Sequence, residues 1–356
     1  HELYAWGLVA DTVYDWDAGG GVTGQLTTGA LPPALDSLTV TVSGNLFSID
    51  AALVYVKCGY FLMIDSQGRV IWHQEGGLYN AFTDGMRWLQ DERAMLTMQD
   101  AAFSLSTPAV RKSDLADNTL LYLDETDLEL KSTHDIDGWG GYVYVLGHTA
   151  AGFAEGGVEV FDGVTRIGTW MLSDSFPTEP DLPGVHTNSI SLSDDGEIIV
   201  SLHYKDAVLG VDGDPASPTF LHTSFQALGN ADVRDPLPDP DYVPAGDTLF
   251  EDQHNPSRHG DTLWVFDNLS QRNSRAVHMS MNSDGTLTEL ESYAPGRKCL
   301  FQGGALPVTD GLLFTCATSD DVSLFRQGVE EPEWEMKAKC GGSGSASVRA
   351  YPVIVE

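Results

Sequence analysis

The sequence predicts an all-β protein: a six-bladed β-propeller behind a short N-terminal strand and linker. Three observations predict it. The stretch His186-Thr-Asn-Ser-Ile-Ser-Leu-Ser-Asp-Asp-Gly-Glu-Ile-Ile-Val-Ser-Leu-His203 reads as strand, tight turn, strand. Asp195-Gly196 supplies the φ > 0 residue of a hairpin turn, and Ile198-Ile199-Val200 is a β-branched run of buried-strand type. The pattern then recurs. His134-Asp-Ile-Asp-Gly-Trp-Gly-Gly precedes Tyr142-Val-Tyr-Val-Leu, and His254-Asn-Pro-Ser-Arg-His-Gly-Asp precedes Thr262-Leu-Trp-Val-Phe. Gln302-Gly-Gly-Ala-Leu-Pro-Val-Thr-Asp-Gly precedes Leu312-Leu-Phe-Thr-Cys. Starts at 134, 186, 254 and 302 approximate the roughly 40–50-residue repeat of a four-stranded blade, the widest interval holding an extra loop. Finally, 356 residues at 42% hydrophobic content suffice for a large core.

The elements follow in order. Residues 1–37 form an aromatic strand, with Tyr4, Trp6, Tyr14 and Trp16, and a Gly/Thr-rich linker ending in Pro32-Pro33. The propeller spans 38–356. Leu38-Thr-Val-Thr-Val-Ser-Gly alternates strictly and is a strand. Leu53–Tyr60, Phe61–Asp65 and Arg69–His73 are short strands, the last pair turned at Ser66-Gln-Gly68. Met86–Leu89 and Ala94–Met98 read as a hairpin despite some helical propensity, because their neighbours are strands. Thr119–Leu123, Leu128–Ser132, Val158–Phe161 and Arg166–Met171 continue the meander. Asp174–Val185 and Gly229–Asp252 are Pro-rich loops, the second acidic enough to raise calcium ligation as a weak option. Ala276–Met281 and Thr286–Tyr293 form a hairpin around Asn282-Ser-Asp-Gly285, and Val322–Phe325 and Trp334–Ala338 follow. Gly341–Ser345 is flexible, and Ser347–Val355 is the last strand. Closure must use a terminus; the candidates are that last strand and the Leu38–Ser43 strand.

Charge excludes some partners. With 52 acidic against 19 basic residues, a formal net charge of −33 argues against nucleic acid and against anionic membrane surfaces. No segment is apolar and long enough to span a membrane. The chain begins with His1, as a processed or trimmed protein would. The cysteines Cys58, Cys299, Cys316 and Cys340 suit disulfides in an exported protein, periplasmic or extracellular. Three full pairings are possible, and one bridge with two buried thiols is equally open. No Cys-x-x-Cys suggests zinc. Gly19-Gly20-Gly21 lacks the strand and helix of a phosphate loop, Asn268-Leu-Ser is a sequon only by coincidence, and no cofactor or metal is expected.

Blade-starting strands line a propeller's central channel, and three begin with a histidine: His134, His186 and His254. Packing alone explains one such residue more easily than three at equivalent positions. On the first strand His186 and Asn188 share a face.

These residues resemble the bacterial aryl-sulfate sulfotransferases, six-bladed periplasmic propellers that pass a sulfuryl group between phenols through a sulfated histidine. His186-Thr-Asn-Ser-Ile is similar to that family's His-x-Asn-Ser-Ile. The likeness continues in Ile198-Ile-Val-Ser-Leu-His-Tyr-Lys-Asp-Ala-Val-Leu-Gly-Val-Asp, Gln253-His254, Phe266-Asp-Asn, Ser274-Arg-Ala-Val277 and His134-Asp-Ile. It covers roughly residues 50–330, and outside the quoted motifs it is only architectural. The resemblance implies that His254 is the nucleophile, that His186 and Asn188 bind sulfuryl oxygens, and that His134 moves the phenol proton. It implies a small phenolic sulfate or phenol as partner. A neutral imidazole is a competent nucleophile near pH 7. Departures accompany it. His203 stands where the family has an arginine, so the sulfate grip would pass to a residue charged mainly below about pH 6.5. Asn-Pro follows His254 where the family tends to Asp-Ala, and the N-terminal domain is short. The rival expectation is a non-catalytic extracellular propeller that binds, scaffolds or builds filaments, its N-terminal strand added to the sheet edge of a second copy.

Overall fold

The fold is taken from a computed structural model. It describes residues 7–76, 85–99, 107–149, 156–176, 185–233, 236–268, 273–300, 302–319, 321–341 and 349–355. Tyr4 and Trp6, most of Asp174–Val185 and most of Gly341–Ser345 lie outside them.

Among the described residues, twenty-eight strands are numbered in chain order. β1 (Val13–Asp17) and β2 (Thr23–Thr27) form an antiparallel hairpin ahead of the ring. β3 (Leu38–Gly44) follows a 3-10 turn at Pro33–Leu35. Blade 1 holds β4 (Ala51–Val56), β5 (Tyr60–Asp65) and β6 (Val70–Glu75). Blade 2 is β7 (Met86–Leu89), β8 (Ala94–Gln99), β9 (Ala109–Asp114) and β10 (Thr119–Leu123). Blade 3 is β11 (Lys131–Trp139), β12 (Tyr142–His148), β13 (Gly156–Asp162) and β14 (Thr165–Met171). Blade 4 is β15 (Thr187–Leu192), β16 (Glu197–Leu202), β17 (Ala207–Asp212) and β18 (Thr223–Leu228). Blade 5 carries β19 (Val243–Pro244) on the outside of β20 (His254–His259), β21 (Thr262–Asp267), β22 (Arg275–Met281) and β23 (Thr286–Tyr293). Blade 6 is β24 (Gly304–Val308), β25 (Gly311–Cys316), β26 (Asp321–Arg326) and β27 (Trp334–Cys340). β28 is Tyr351–Val353.

The two termini close the ring at adjacent blades. β28 pairs with β4 as the innermost strand of blade 1, while β3 pairs with β27 as the outermost of blade 6. Both expected closing strands are therefore used. A disulfide, Cys58–Cys340, bolts the same seam, and Cys299–Cys316 braces the entry to blade 6. Four cysteines in two bridges fit an exported protein. Among the described residues no helix is long and apolar enough to cross a membrane.

Among the described residues each seam between blades holds one apolar cluster, six in all. This explains why β4, β16 and β17 read as nearly continuous apolar runs: both faces of a central blade strand are covered by neighbouring blades. The Met86–Met98 segment is a hairpin, as expected.

Some elements depart from expectation. The glycine-rich linker is half of a hairpin: Gly19, Gly20 and Gly21 all take positive φ in its turn, and the Trp16 ring lies over Gly24, where a Cβ would clash with it. Leu128–Leu130 precede β11, which starts at Lys131. The last strand is shorter than expected, Tyr351–Val353.

Candidate functional site

The inner strands β7, β11, β15, β20, β24 and β28 line the channel, and each has an open edge there. Side chains satisfy those edges in a staircase. Asp135 and Asp137, two residues apart on one face of β11, accept the backbone N–H groups of Ile190 and Leu192 on β15, both at 2.8 Å. Ser189 Oγ of β15 accepts the N–H of Asn255 on β20 at 2.8 Å, and Asn255 Oδ1 accepts that of Ala305 on β24 at 3.2 Å. Arginines from the remaining strands end the chain: Arg349, ahead of β28, donates to Asp135 at 2.5 Å, and Arg87 of β7 pairs with Asp137. All four charged groups are buried. Removing one partner would strand a buried charge, a loss of about 3–5 kcal/mol.

Above this staircase sit the histidines. Each inner strand of blades 3 to 5 slips register at the same mouth: between Ser132 and Ile136, between Thr187 and Ser189, and between His254 and Ser257. Bulges re-aim side chains, and here they gather His134, His186 and His254. His134 and Asn255 take left-handed backbone, φ 62° and 46°. Pro256 sits inside the β20 bulge, where its missing N–H costs no ladder bond. His203, on the 3-10 turn His203–Lys205 after β16, completes the group. Ring centroids run His134–His186 4.9 Å, His186–His203 5.3 Å and His203–His254 5.3 Å. Tyr204, exposed, lies over His186 and His203.

The hydrogen bonds assign part of the chemistry. His254 Nδ1 lies 2.7 Å from Asn268 Oδ1. The other end of that amide donates to the carbonyls of Cys299 at 3.0 Å and Gln302 at 2.8 Å, so Oδ1 must be the acceptor. His254 is therefore protonated on Nδ1 and keeps its lone pair on Nε2. His134 and His186 meet Nε2 to Nε2 at 3.1 Å, one ring donating to the other. Burial, then repulsion from His134, holds His186 down to about 2. Burial, then His203, holds His254 well below the ordinary histidine value, although Asn268 acts the other way. Burial also lowers His203, and Asp252, 3.9 Å from its Nε2, only partly offsets this. At neutral pH these three rings are uncharged.

The site residues expected from sequence thus converge, with different duties. Asn188 is almost fully buried, and its amide donates to the Gln253 carbonyl at 2.8 Å, so it fixes the backbone entering His254. His203 is a neutral ring, and the arginine at this mouth is Arg349, whose positive charge adds to the depression of His254. Sequence reasoning missed Arg349 and Asn268. The Phe266-Asp-Asn motif contained the second; nothing local marked the first. Among the described residues no three or more His, Cys, Asp or Glu side chains are grouped to hold a metal ion.

No family model and no curated protein matches the chain. Solved structures do. A 6-phosphogluconolactonase-like protein of Bacteroides uniformis superposes with a TM-score of 0.52 at 14% identity over 86% of this chain and 100% of its own. A nidogen/laminin complex contains a chain that matches with 0.51 at 10% identity, over 84% and 97%. A protein of unknown function from Bacteroides caccae gives 0.50 at 9% identity, over 86% and 99%. At such identities the likeness shows one thing: this chain has the β-propeller fold.

Proposed function

We propose that this propeller transfers a sulfuryl group from a phenolic sulfate to a phenol, with His254 as the covalent carrier. The observation that carries the reading is the Asn268 contact, which leaves an unprotonated Nε2 on a ring held neutral by burial. Nε2 donates its lone pair to sulfur, and the bond from sulfur to the aryl oxygen breaks with its electrons on the phenolate. The His134–His186 pair, carrying one proton taken up together with the anionic donor, supplies that oxygen with it. An acceptor phenol then loses its proton to the same pair, attacks sulfur, and the sulfur–nitrogen bond returns its electrons to Nε2. Arg349 offers the positive field that an anionic donor needs, its charge tempered by Asp135.

The test is direct. Pure protein with excess chromogenic phenyl sulfate should release colour faster when phenol is added, and His254 should gain the mass of one sulfuryl group. His254→Asn should abolish both; His186→Asn should only slow turnover. Absence of both release and adduct in the wild type would overturn the reading.

A second reading is a propeller that assembles or scaffolds through its N-terminal hairpin, favoured by exposed apolar side chains: Trp16 45% and Leu26 42% exposed on one face, Val13 59% on the other and Val22 58% at the turn. Solution mass with and without this segment decides it.

A further inference from the structure

We propose that the opposite mouth of the channel is a second binding site, for a small uncharged ring compound bearing an acceptor oxygen. The two mouths are separate. β11 carries His134 at one and Trp139 at the other, a run of about 16 Å at strand rise. Between them on β11 lie the partners of the buried Asp135–Arg349 and Asp137–Arg87 pairs.

The second mouth is a cavity of about 530 Å³ that all six inner strands help to line. That volume falls within the roughly 300–1,000 Å³ usual for small-molecule sites. Its buried base includes Arg87 and Ser257, 8% and 7% exposed. Arg87 Nε and Ser257 Oγ are buried and have no partner among the described residues. Both carry a hydrogen to donate, and neither meets an acceptor among the described residues.

Charge narrows what that acceptor is. Within the base the Asp137 carboxylate already neutralises Arg87, and at the exposed rim Glu92 is paired with Lys112 while Asp91 adds a negative charge. On a chain of net charge −33 an anion would be repelled from this mouth. The acceptor is therefore an uncharged oxygen. Leu89, Leu192, Leu306 and Trp88 line the cavity as well, which suits an apolar ring. Nothing in this argument uses the histidines, so it stands apart from sulfuryl transfer.

Acetophenone is the probe: a ring with one neutral acceptor and no hydroxyl to be sulfated. Its binding is followed by tryptophan fluorescence and by saturation-transfer NMR on the whole chain, with no sulfate donor present. Acetophenone should bind saturably, benzoate at least ten-fold more weakly because of its charge, and ethylbenzene about five-fold more weakly for want of the oxygen. Ser257→Ala should cost acetophenone about five-fold, and Leu306→Phe or, from another strand, Leu192→Phe should fill the cavity and abolish binding. No saturable binding in the wild type would overturn the proposal and leave water as the acceptor. Binding that survives both filling variants in folded protein would overturn it too, by placing the ligand elsewhere.

Discussion

Lowering the pH from 7 to 5 should destabilise this protein through its channel histidines. His186 titrates at about 2 when folded, against an ordinary 6.5. The unfolded chain therefore binds a proton that the folded chain refuses. Stability is fully present above 6.5 and is lost as pH falls below it. Over this interval His186 alone costs about 2 kcal/mol, the full linkage of one histidine that stays neutral when folded. His203 and His254 are shifted the same way and add up to about as much each. Asp206 opposes them. Burial raises its carboxyl to about 6, so it takes up a proton on folding and returns roughly 1.3 kcal/mol over the same interval. The histidines win. Urea melts at pH 7 and pH 5 measure the drop, and His186→Asn isolates its part: the difference between the two pH values should shrink by about 2 kcal/mol. An unchanged difference in that variant would refute the claim that His186 is held neutral.

Asn268→Leu should free the His254 ring. Losing the acceptor of a buried N–H is worth about 1–3 kcal/mol, so the Nε2 lone-pair tautomer should fall by roughly five- to 150-fold, read as side-chain ¹⁵N shifts. If the reaction runs through His254, kcat should fall with it while KM holds. Replacing Cys58 and Cys340 by alanine should cost more than replacing Cys299 and Cys316, about 5–6 against about 3 kcal/mol, since the sequence separations are 282 and 17. Thermal or denaturant melts that reverse this order would show that the long bridge does not govern ring closure. His203→Arg should tighten sulfate only if its new charge faces the donor; with His203 neutral, wild-type sulfate affinity should be flat from pH 6 to 8. Removing residues 1–33 should leave the particle a monomer if the hairpin serves its own ring, and shrink an assembly if it joins copies.

The fold was legible where one physical signal dominated. Asp195-Gly196 between β-branched runs admits little but a hairpin, and the recurrence of His134, His186 and His254 before such runs located three inner strands. β9 was not legible. Its Arg111-Lys112-Ser113 breaks alternation, and Lys112 and Ser113 are buried only because Glu92 and Gln74 meet them from elsewhere. The linker composition of Asp17–Pro33 cannot announce that Trp16 will cover Gly24. In the site, residue types were readable and their states were not. His203 looked like a cation in place of an arginine; burial, invisible to a single sequence, makes it neutral. Arg349 lies 214 positions from Asp135, and no local pattern predicts that they meet.

The arrangement of the termini has a consequence for biogenesis. Blade 1 is made first yet lacks its inner strand until Tyr351–Val353 has been synthesised. Until then the open edge of β4 is an invitation to wrong partners in a crowded compartment. The same last segment delivers Arg349 to Asp135. A prematurely terminated chain would thus carry an uncompensated aspartate at its heart as well as a gap in its ring. β28 and the arginine just ahead of it thus act as an inspection step: charge neutrality at the channel and completion of the circle arrive together, or neither does.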